Sequence, residues 1–255
     1  MEDYQKIFAK LLADSTGLFF KQGLFLKDQR PTPYFVNIGA LGESTKHRWE
    51  LAKAYAAMIS ANTGKCRDID IVFGPSYKGV PIAADTTTAL YLEHGIDLKL
   101  SFDRKEAKTH GEGSTEKDMF VGAKFFDSCS IYIVDDVGTS MATKVESLEK
   151  IASESDIKGI NASVAGVGIA VDREQAGPVY DAKNRIILGE RGEDAIGNFT
   201  NSTGIPVHSI VGVRDVMQFL FDTQYPLLID DKVQPLSQKR FDEFRTYMDT
   251  YGVNR

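Results

Sequence analysis

Residues 131–148 read IYIVDDVGTSMATKVESL, and this stretch decides the fold class. The apolar run at its start is typical of a buried strand, and the spacing of apolar residues after position 142 is typical of a helix. A strand that passes through a turn of small residues into a helix is the repeating unit of a parallel sheet. Asp135 and Asp136 follow the strand directly, at the edge where open α/β sheets bind their ligands. We therefore expect a binding site at this edge.

Strands and helices alternate on both sides of this stretch. Runs of β-branched and apolar residues predict further strands, and apolar residues at helical spacing predict the helices. The further strands are expected at 69–73, 97–102, 160–172 and 207–211, and the helices at 4–12, 46–61, 79–95, 142–154 and 213–221. Because parallel strands need crossover connections, this order predicts an α/β fold with an open, mostly parallel, twisted sheet and helices on both faces.

The two ends of the chain do not follow this alternation. Residues 24–39 hold turn-forming residues between two apolar runs, which predicts a hairpin-like lead-in. The tail contains two prolines and then a short amphipathic helix near 240–248. We predict a single domain over residues 1–222, whose first 40 or so residues form a small N-terminal hood, and a C-terminal extension over residues 223–255.

Two internal segments also interrupt the alternation. Residues 103–118 are almost wholly polar and include two glycines, and so long a loop within an α/β unit is uncommon unless it is functional or mobile. Residues 174–205 are of mixed composition, and we expect them to be irregular with short strands.

Composition and charge argue against several protein classes. Of the 255 residues 42% are hydrophobic and 26% charged, as in ordinary globular proteins. With 30 basic and 36 acidic residues the net charge is −6, which disfavours a non-specific nucleic-acid binder. The two cysteines and four scattered histidines predict neither a disulfide framework nor a zinc site. Because we find no secretory signal and no run of about 18 apolar residues, we expect a cytoplasmic protein without a membrane partner.

The turn after the acidic pair is suited to hold a phosphate. Gly138, Thr139 and Ser140 offer backbone N–H groups and short hydroxyls, and the dipole of the following helix favours an anion. Asp135 and Asp136 are placed to accept hydrogen bonds from the vicinal hydroxyls of a ribose whose 5′-phosphate occupies the turn. The alternative is an ordinary turn with a capping aspartate. The spacing of a Walker A loop does not occur in this stretch, and neither does that of a GxGxxG loop.

A second candidate segment is FGPSYKG at 73–79, which follows another predicted strand. Its glycines allow the backbone to approach a ligand closely. Lys78 supplies a cation and Tyr77 an aromatic edge. Taken alone, the segment is more often an ordinary strand-to-helix turn with a lysine in solvent.

The polar loop is a third candidate because it concentrates positive charge in an acidic protein. Arg104, Lys105, Lys108 and His110 lie within seven residues, against one acid, Glu106. These cations would offset the charge of a pyrophosphate group, and the glycines that follow suit a mobile lid. A solvated charge run is the common alternative.

Residues 131–148 resemble the phosphoribosyl-pyrophosphate binding motif of the type I phosphoribosyltransferases, with departures at Met141 and Ala142. FGPSYKG is similar to the pyrophosphate loop of the orotate phosphoribosyltransferase family. The order Arg-Lys-x-x-Lys-x-His in the polar loop resembles the mobile catalytic loop of the same enzymes.

Two more segments resemble that family. LKDQRPTPYFVN at 26–37 is similar to its base-binding segment, and GIAVDREQAG at 168–177 places Arg173 where the family recognises orotate. A planar fork of donors suits the carboxylate and ring carbonyl of orotate. The five segments occur in the family's order and cover roughly residues 20–215 of the chain.

The resemblance implies transfer of the 5-phosphoribosyl group from phosphoribosyl pyrophosphate to N1 of orotate, which gives orotidine 5′-monophosphate and pyrophosphate. It implies Mg²⁺ held mainly by the substrate, with no metal ligand assigned to a protein side chain, and a homodimer with shared active sites. The residues implied as catalytic are Asp136, Lys108, His110 and Lys27. Those implied to bind phosphoribosyl pyrophosphate are Tyr77, Lys78, Arg104, Lys105, Lys108, His110, Asp135, Asp136, Val137, Gly138, Thr139, Ser140, Met141, Ala142 and Thr143. Those implied to bind orotate are Lys27, Tyr34, Phe35, Thr139 and Arg173.

Two other functions share part of this pattern. A purine phosphoribosyltransferase would share the phosphate turn but not residues 26–37, the order of the loop cations or Arg173. A regulator that binds the sugar pyrophosphate without turnover would share the fold, but it would not need the loop cations. The sequence favours the orotate enzyme over both.

Overall fold

The structure of the protein, a computed structural model, describes residues 1–64, 66, 68–105, 119–138 and 140–253. Within these residues the strands are β1 (Leu18–Phe25), β2 (Pro31–Val36), β3 (Ile71–Gly74), β4 (Lys99–Asp103), β5 (Phe120–Gly122), β6 (Ser130–Val137), β7 (Ser163–Asp172), β8 (Val207–Gly212), β9 (Pro226–Ile229) and β10 (Lys232–Pro235). The helices are α1 (Asp3–Asp14), α2 (Thr45–Asn62), α3 (Gly79–His94), α4 (Ala142–Lys158), α5 (Ala195–Thr203), α6 (Val213–Asp222) and α7 (Gln238–Tyr251), and a 3-10 helix spans Ile38–Glu43.

The central sheet has six strands in the order β5-β4-β3-β6-β7-β8. All neighbouring strands run parallel except the edge strand β5, which pairs antiparallel with β4. The predicted mostly parallel α/β sheet is therefore confirmed. β6, which precedes the acidic pair, lies between β3 and β7 near the middle of the sheet.

Helices cover both faces of this sheet because its strands are apolar on both sides. In β3, Val72 faces a large core that also includes side chains of α1, α2, α3 and α6. Ile71 and Phe73 face the opposite way, into a smaller core that includes side chains of α4 and α5. Packing on both faces fixes the positions of the strand ends, and these in turn set where the following loops begin.

The N-terminal hood is a separate four-stranded sheet in the order β10-β9-β1-β2. β1 and β2 form the predicted hairpin. The C-terminal segment completes the hood, because β9 pairs in parallel with β1 and β10 extends the sheet. Helix α7 then packs against β2, where the ring of Tyr34 meets Phe244 at 5.4 Å and Tyr247 at 5.9 Å between centroids. Much of the segment after residue 222 is therefore part of the hood.

Residues 174–205 differ from the irregular segment with short strands that the sequence predicts. They contain helix α5 and two isolated bridges, Gln175 to Gly252 and Tyr180 to Ile186. The helix sequence AIGNFTNST is poor in helix-forming residues. Burial of Ile196 and Phe199 in the smaller core, with Asp194 accepting from the backbone of Gly197 at 3.1 Å, outweighs that low propensity.

No helix in the described part of the chain is both long and apolar enough to cross a lipid bilayer.

Candidate functional site

Most of the predicted site residues in the described part of the chain lie at or after the carboxyl ends of four strands of the central sheet. β3 pairs with both β4 and β6, and β6 pairs with β7, so the segments that follow these strands lie side by side. This arrangement brings together residues 75–78, 104–105, 135–143 and 173–175, apart from Thr139. Thr139, Lys108 and His110 lie outside the described residues.

Asp136 is the accessible member of the acidic pair. Its Oδ2 accepts from Lys78 Nζ at 2.7 Å, and its Oδ1 accepts from the backbone N–H of Val137 at 2.8 Å. The carboxylate raises the pKa of Lys78 because it accepts this hydrogen bond and adds an opposite charge. The side chain of Lys78 is 70% exposed, so it can leave Asp136 and turn to another anion at low cost.

Asp135 is placed differently from its neighbour. Its Oδ2 accepts from Lys144 Nζ at 2.5 Å and its Oδ1 accepts from the backbone N–H of Asp136 at 2.9 Å. The side chains of Asp135 and Lys144 are only 8% and 4% exposed. Both oxygens of the first carboxylate are thus engaged inside the protein, although the sequence predicts that this residue, too, contacts a ribose.

Gly138 and residues 140–141 precede α4 in the phosphate turn that the sequence predicts. Gly138 lies where a Cβ would come within 3.1 Å of both Ile196 and Met141. Met141 has φ +58°, a left-handed conformation that is unusual for a side chain of this kind. Its side chain is buried, while Ser140, Ala142 and Thr143 are exposed at the start of the helix. The N–H groups in the first turn of a helix have no partner within it, so this end of α4 suits an anion.

The segment after β3 is fixed by contacts with β4. The backbone N–H of Ser76 donates to Asp103 Oδ1 at 2.7 Å, and Lys150 of α4 donates to Asp103 Oδ2 at 2.7 Å. The peptide bond between Ser76 and Tyr77 is cis. A Cβ on Gly74 would lie 2.2 Å from the carbonyl oxygen of Gly79, so the segment requires a glycine there.

Cations of the polar loop begin beside this segment. Lys105 Nζ lies 4.4 Å from the centroid of the Tyr77 ring, which is itself 70% exposed. Arg104 is half-buried, and its Nε is buried without a hydrogen-bond partner among the described residues. Lys105 therefore lies next to the segment that carries Tyr77 and Lys78, and Arg104 directly precedes Lys105 in the chain.

Arg173 points from the end of β7 towards the hood. Its Nε and Nη2 are buried and have no hydrogen-bond partner in the described part of the chain. Burial raises the pKa of the Tyr34 hydroxyl, and the positive charge of Arg173 acts in the opposite direction. Burying two hydrogen-bond donors of a guanidinium without an acceptor costs free energy. A planar acceptor such as a carboxylate would accept hydrogen bonds from both.

The other residues predicted to contact a base differ in exposure. Lys27 is exposed and Phe35 is half-buried, with its ring 5.8 Å from that of Phe19. Tyr34 is fully buried beneath α7, so its ring contributes packing, and its hydroxyl donates to Met248 Sδ at 3.9 Å and interacts with the charge of Arg173. A role for these residues in binding a base stays a prediction.

Two buried residues of the site, Arg30 and Lys144, were not predicted from the sequence. Arg30 is buried and forms an ion pair with Asp28 at 2.7 Å, and its Nη1 donates to the carbonyl of Ala176 at 2.9 Å, close to Arg173. Burial alone would raise the pKa of Asp28, but hydrogen bonds from Arg30 and its charge lower it. Lys144 is the other such residue, and it did leave a signal. Lys144 lies on the same face of α4 as three other buried residues, Ser147, Ile151 and Ser155. The helical spacing of this face predicts that Lys144 is buried, and a buried lysine needs an anionic partner.

No group of three or more His, Cys, Asp or Glu side chains within the described residues is arranged to hold a metal ion.

Known proteins resemble this chain over nearly its whole length. It is 36% identical to the orotate phosphoribosyltransferase of Pseudomonas fluorescens over 254 residues. The matched region covers 99% of this chain and 100% of the relative. The orotate phosphoribosyltransferase of Chromohalobacter salexigens is 36% identical over 253 residues, covering 99% of this chain and 97% of the relative. The chain belongs to the orotate phosphoribosyltransferase family.

A solved structure supports this assignment. The crystal structure of orotate phosphoribosyltransferase from Francisella tularensis has a TM-score of 0.71 at 28% identity, and it covers 96% of this chain and 99% of that one. No protein-family model matches the chain. As a member of the orotate phosphoribosyltransferases, this protein is a transferase of pyrimidine nucleotide synthesis. It transfers the 5-phosphoribosyl group from phosphoribosyl pyrophosphate to N1 of orotate, as the sequence predicts.

Proposed function

We propose that the strand ends of the central sheet bind phosphoribosyl pyrophosphate and that the hood binds orotate. The observation that carries this division is Arg173, which has two buried nitrogens without a hydrogen-bond partner among the described residues and whose charge acts on Tyr34 of the hood. Orotate offers the carboxylate and ring carbonyl that such a fork of donors requires. Lys27, Phe35 and the hydroxyl of Tyr34 are proposed to line the same side.

The ribose is proposed to lie against Asp136. In the structure this carboxylate holds Lys78 at 2.7 Å, and both side chains change partner when substrate binds. Lys78 turns to the pyrophosphate together with Arg104 and Lys105, while Asp136 accepts from a ribose hydroxyl. The exposed start of α4, with Gly138 and residues 140–143, receives the 5′-phosphate.

The reaction then needs little covalent chemistry from the protein. N1 of orotate gives up its proton to solvent and attacks C1′ of the ribose as the bond from C1′ to the pyrophosphate oxygen breaks, and the electron pair of that bond leaves with the pyrophosphate. Positive charge develops on the ribose in an oxocarbenium-like transition state. Asp136 stabilises that charge, and the cations around Tyr77 stabilise the leaving group. Lys108 and His110, from the polar loop, are proposed to add to the second effect, and Lys27 is proposed to act beside the base.

Mg²⁺ is the proposed metal. The donors at the site fit a hard cation that is held mainly by substrate oxygens, because Asp136 supplies one accessible carboxylate and no larger cluster of ligands exists among the described residues. When bound, Mg²⁺ supplies charge that offsets the pyrophosphate.

A direct assay tests the proposed reaction against its two rivals. Orotate absorbance should fall when the protein, phosphoribosyl pyrophosphate and Mg²⁺ are mixed, and adenine or hypoxanthine in place of orotate should leave the sugar pyrophosphate intact. Consumption of a purine base would identify a purine enzyme. Binding of the sugar pyrophosphate without turnover of any base would identify a regulator.

A homodimer in which the polar loop of each subunit reaches its partner's site is also proposed, in the cytoplasm. Its test mixes a variant damaged at Asp136 with one damaged at Lys108, each nearly inactive alone. After refolding in equal amounts, about half of the dimers are mixed, and each mixed dimer holds one intact site. Activity should therefore recover to about a quarter of the unmodified protein. If mixed dimers form and activity does not recover, the loop serves its own subunit.

A further inference from the structure

The buried lysine of α4 lies next to the phosphate turn, but no step of the proposed reaction uses it. Lys144 Nζ donates to Asp135 Oδ2 at 2.5 Å and to the carbonyl oxygen of Val137 at 2.8 Å. Asp135 precedes the turn, Val137 begins it, and Lys144 follows it in the first turn of the helix. One ammonium group thus ties the beginning of the segment 137–144 to its end.

We propose that Lys144 is a positioning residue, which fixes the 5′-phosphate turn by clamping both of its ends to the buried carboxylate of Asp135. This inference rests on the proposed function, because it takes the turn to be the site of the 5′-phosphate. Lys144 itself does not touch the phosphate. Its side chain is 4% exposed, and its identified hydrogen bonds run to the strand and not to the exposed face of the turn.

The contacts around Asp135 explain how this clamp can hold the turn in a fixed position relative to the sheet. Its carbonyl oxygen accepts from the hydroxyl of Tyr55 at 2.7 Å, and its Oδ1 accepts from the backbone N–H of Asp136 at 2.9 Å. Tyr55 is fully buried in α2. The backbone of Asp135 is therefore anchored to α2 on the opposite side of the sheet, and Lys144 links the Asp135 carboxylate to the turn.

The turn has a specific need for such a clamp. Met141 holds a left-handed conformation at φ +58° in the middle of the segment, where a side chain other than glycine is strained. A strained turn keeps its shape only when its surroundings fix it. The side-chain contacts of Lys144, the burial of the Met141 side chain at 3% exposure, and the backbone N–H groups of Lys144 and Val145, which donate to the Met141 carbonyl, all help to fix it here.

Two ligands that each occupy one half of the substrate site give the test. Ribose 5-phosphate probes the phosphate turn, and inorganic pyrophosphate probes the segment around Lys78. Both are measured as inhibitors competing with phosphoribosyl pyrophosphate. The variants are Lys144→Met, which removes the ammonium group at similar volume, and Lys144→Met combined with Asp135→Asn, which also removes the carboxylate left without its partner and so protects folding. Lys158→Met is the matched control, since Lys158 pairs with Glu154 at the far end of the same helix.

We expect both Lys144 variants to bind ribose 5-phosphate roughly tenfold more weakly or worse, because small displacements of a binding group cost that much. Their affinity for pyrophosphate and the KM for orotate should stay within about twofold of the unmodified protein. Lys158→Met should resemble the unmodified protein in every measurement.

Three results would overturn the inference. Ribose 5-phosphate binding at full strength in Lys144→Met, or its recovery in the double variant, would mean that the pair only balances charge. Equal weakening of ribose 5-phosphate and pyrophosphate would mean a general loosening of the fold. A different result would contradict the proposed function: the unmodified protein itself would not bind ribose 5-phosphate in competition with phosphoribosyl pyrophosphate.

Discussion

Asp136→Asn is expected to lower kcat about 100-fold, the size of loss seen when one preorganised electrostatic contact to a transition state is removed. The amide keeps the shape of the side chain and can still hold a ribose hydroxyl. It cannot stabilise the positive charge that develops at C1′. The loss should therefore appear in kcat more than in the KM for either substrate, measured by the absorbance of orotate.

The structure also predicts that this variant folds. Asp136 sits at the end of β6 with an exposed partner, Lys78, so removing its charge leaves no buried ion without a counter-charge. Asp181→Asn serves as the control, because Asp181 pairs with an exposed arginine in the segment 180–186. Full activity in a folded Asp136→Asn protein would mean that the acidic pair is only the end of a strand.

Arg173→Ala is expected to raise the KM for orotate by roughly 10- to 100-fold, with little change in the KM for phosphoribosyl pyrophosphate. A charge-assisted hydrogen bond contributes about 1.5–3 kcal/mol, and 1.4 kcal/mol corresponds to a factor of ten. Arg173→Lys should recover only part of the loss, because an ammonium group cannot form the two parallel bonds of a guanidinium.

Two nitrogens of Arg173 have no hydrogen-bond partner to lose among the described residues, although the charge of the side chain also acts on Tyr34 and Asp28. The matched control is Arg185→Ala, since Arg185 is an exposed arginine whose ion pair with Asp181 lies away from the strand ends. A similar rise in KM for both substrates would reject the assignment of Arg173 to the base. Unfolding should be followed in parallel, so that a change in KM is not confused with a change in stability.

The central sheet could be predicted from the sequence because its strands are short apolar runs between clear breakers. The runs around Val72 and Tyr132 are buried on both faces, so hydrophobicity alone identified them. Helix α5 was missed because its residues have low helix propensity and only the packing of Ile196 and Phe199 makes it helical. The pairing of β9 with β1 joins segments far apart in sequence, which no local pattern encodes.

The candidate site was predictable to the extent that its residues follow strand ends. Asp136 and Lys78 were predicted on this ground, and they are 2.7 Å apart. The sequence could not predict that Asp135 and Asp136 have different surroundings, because the surroundings of each carboxylate depend on the side chain that contacts it in the fold. Lys144 meets the first and leaves the second accessible. Likewise, burial of Tyr34 results from α7, which the sequence places more than 200 residues away.

The parallel pairing of β1 with β9 also constrains the order in which the protein is made. Phe19 and Leu228 are partners, so the ribosome must synthesise roughly 200 residues between them before this pair can form. The central sheet contains no strand after residue 212 and can assemble first. Until residues 226–229 emerge, one edge of β1 stays open, and an open edge invites pairing with another nascent chain. A chain whose translation stops before this point would carry the central sheet, which we propose binds the phosphates, and an incomplete hood with one open strand edge.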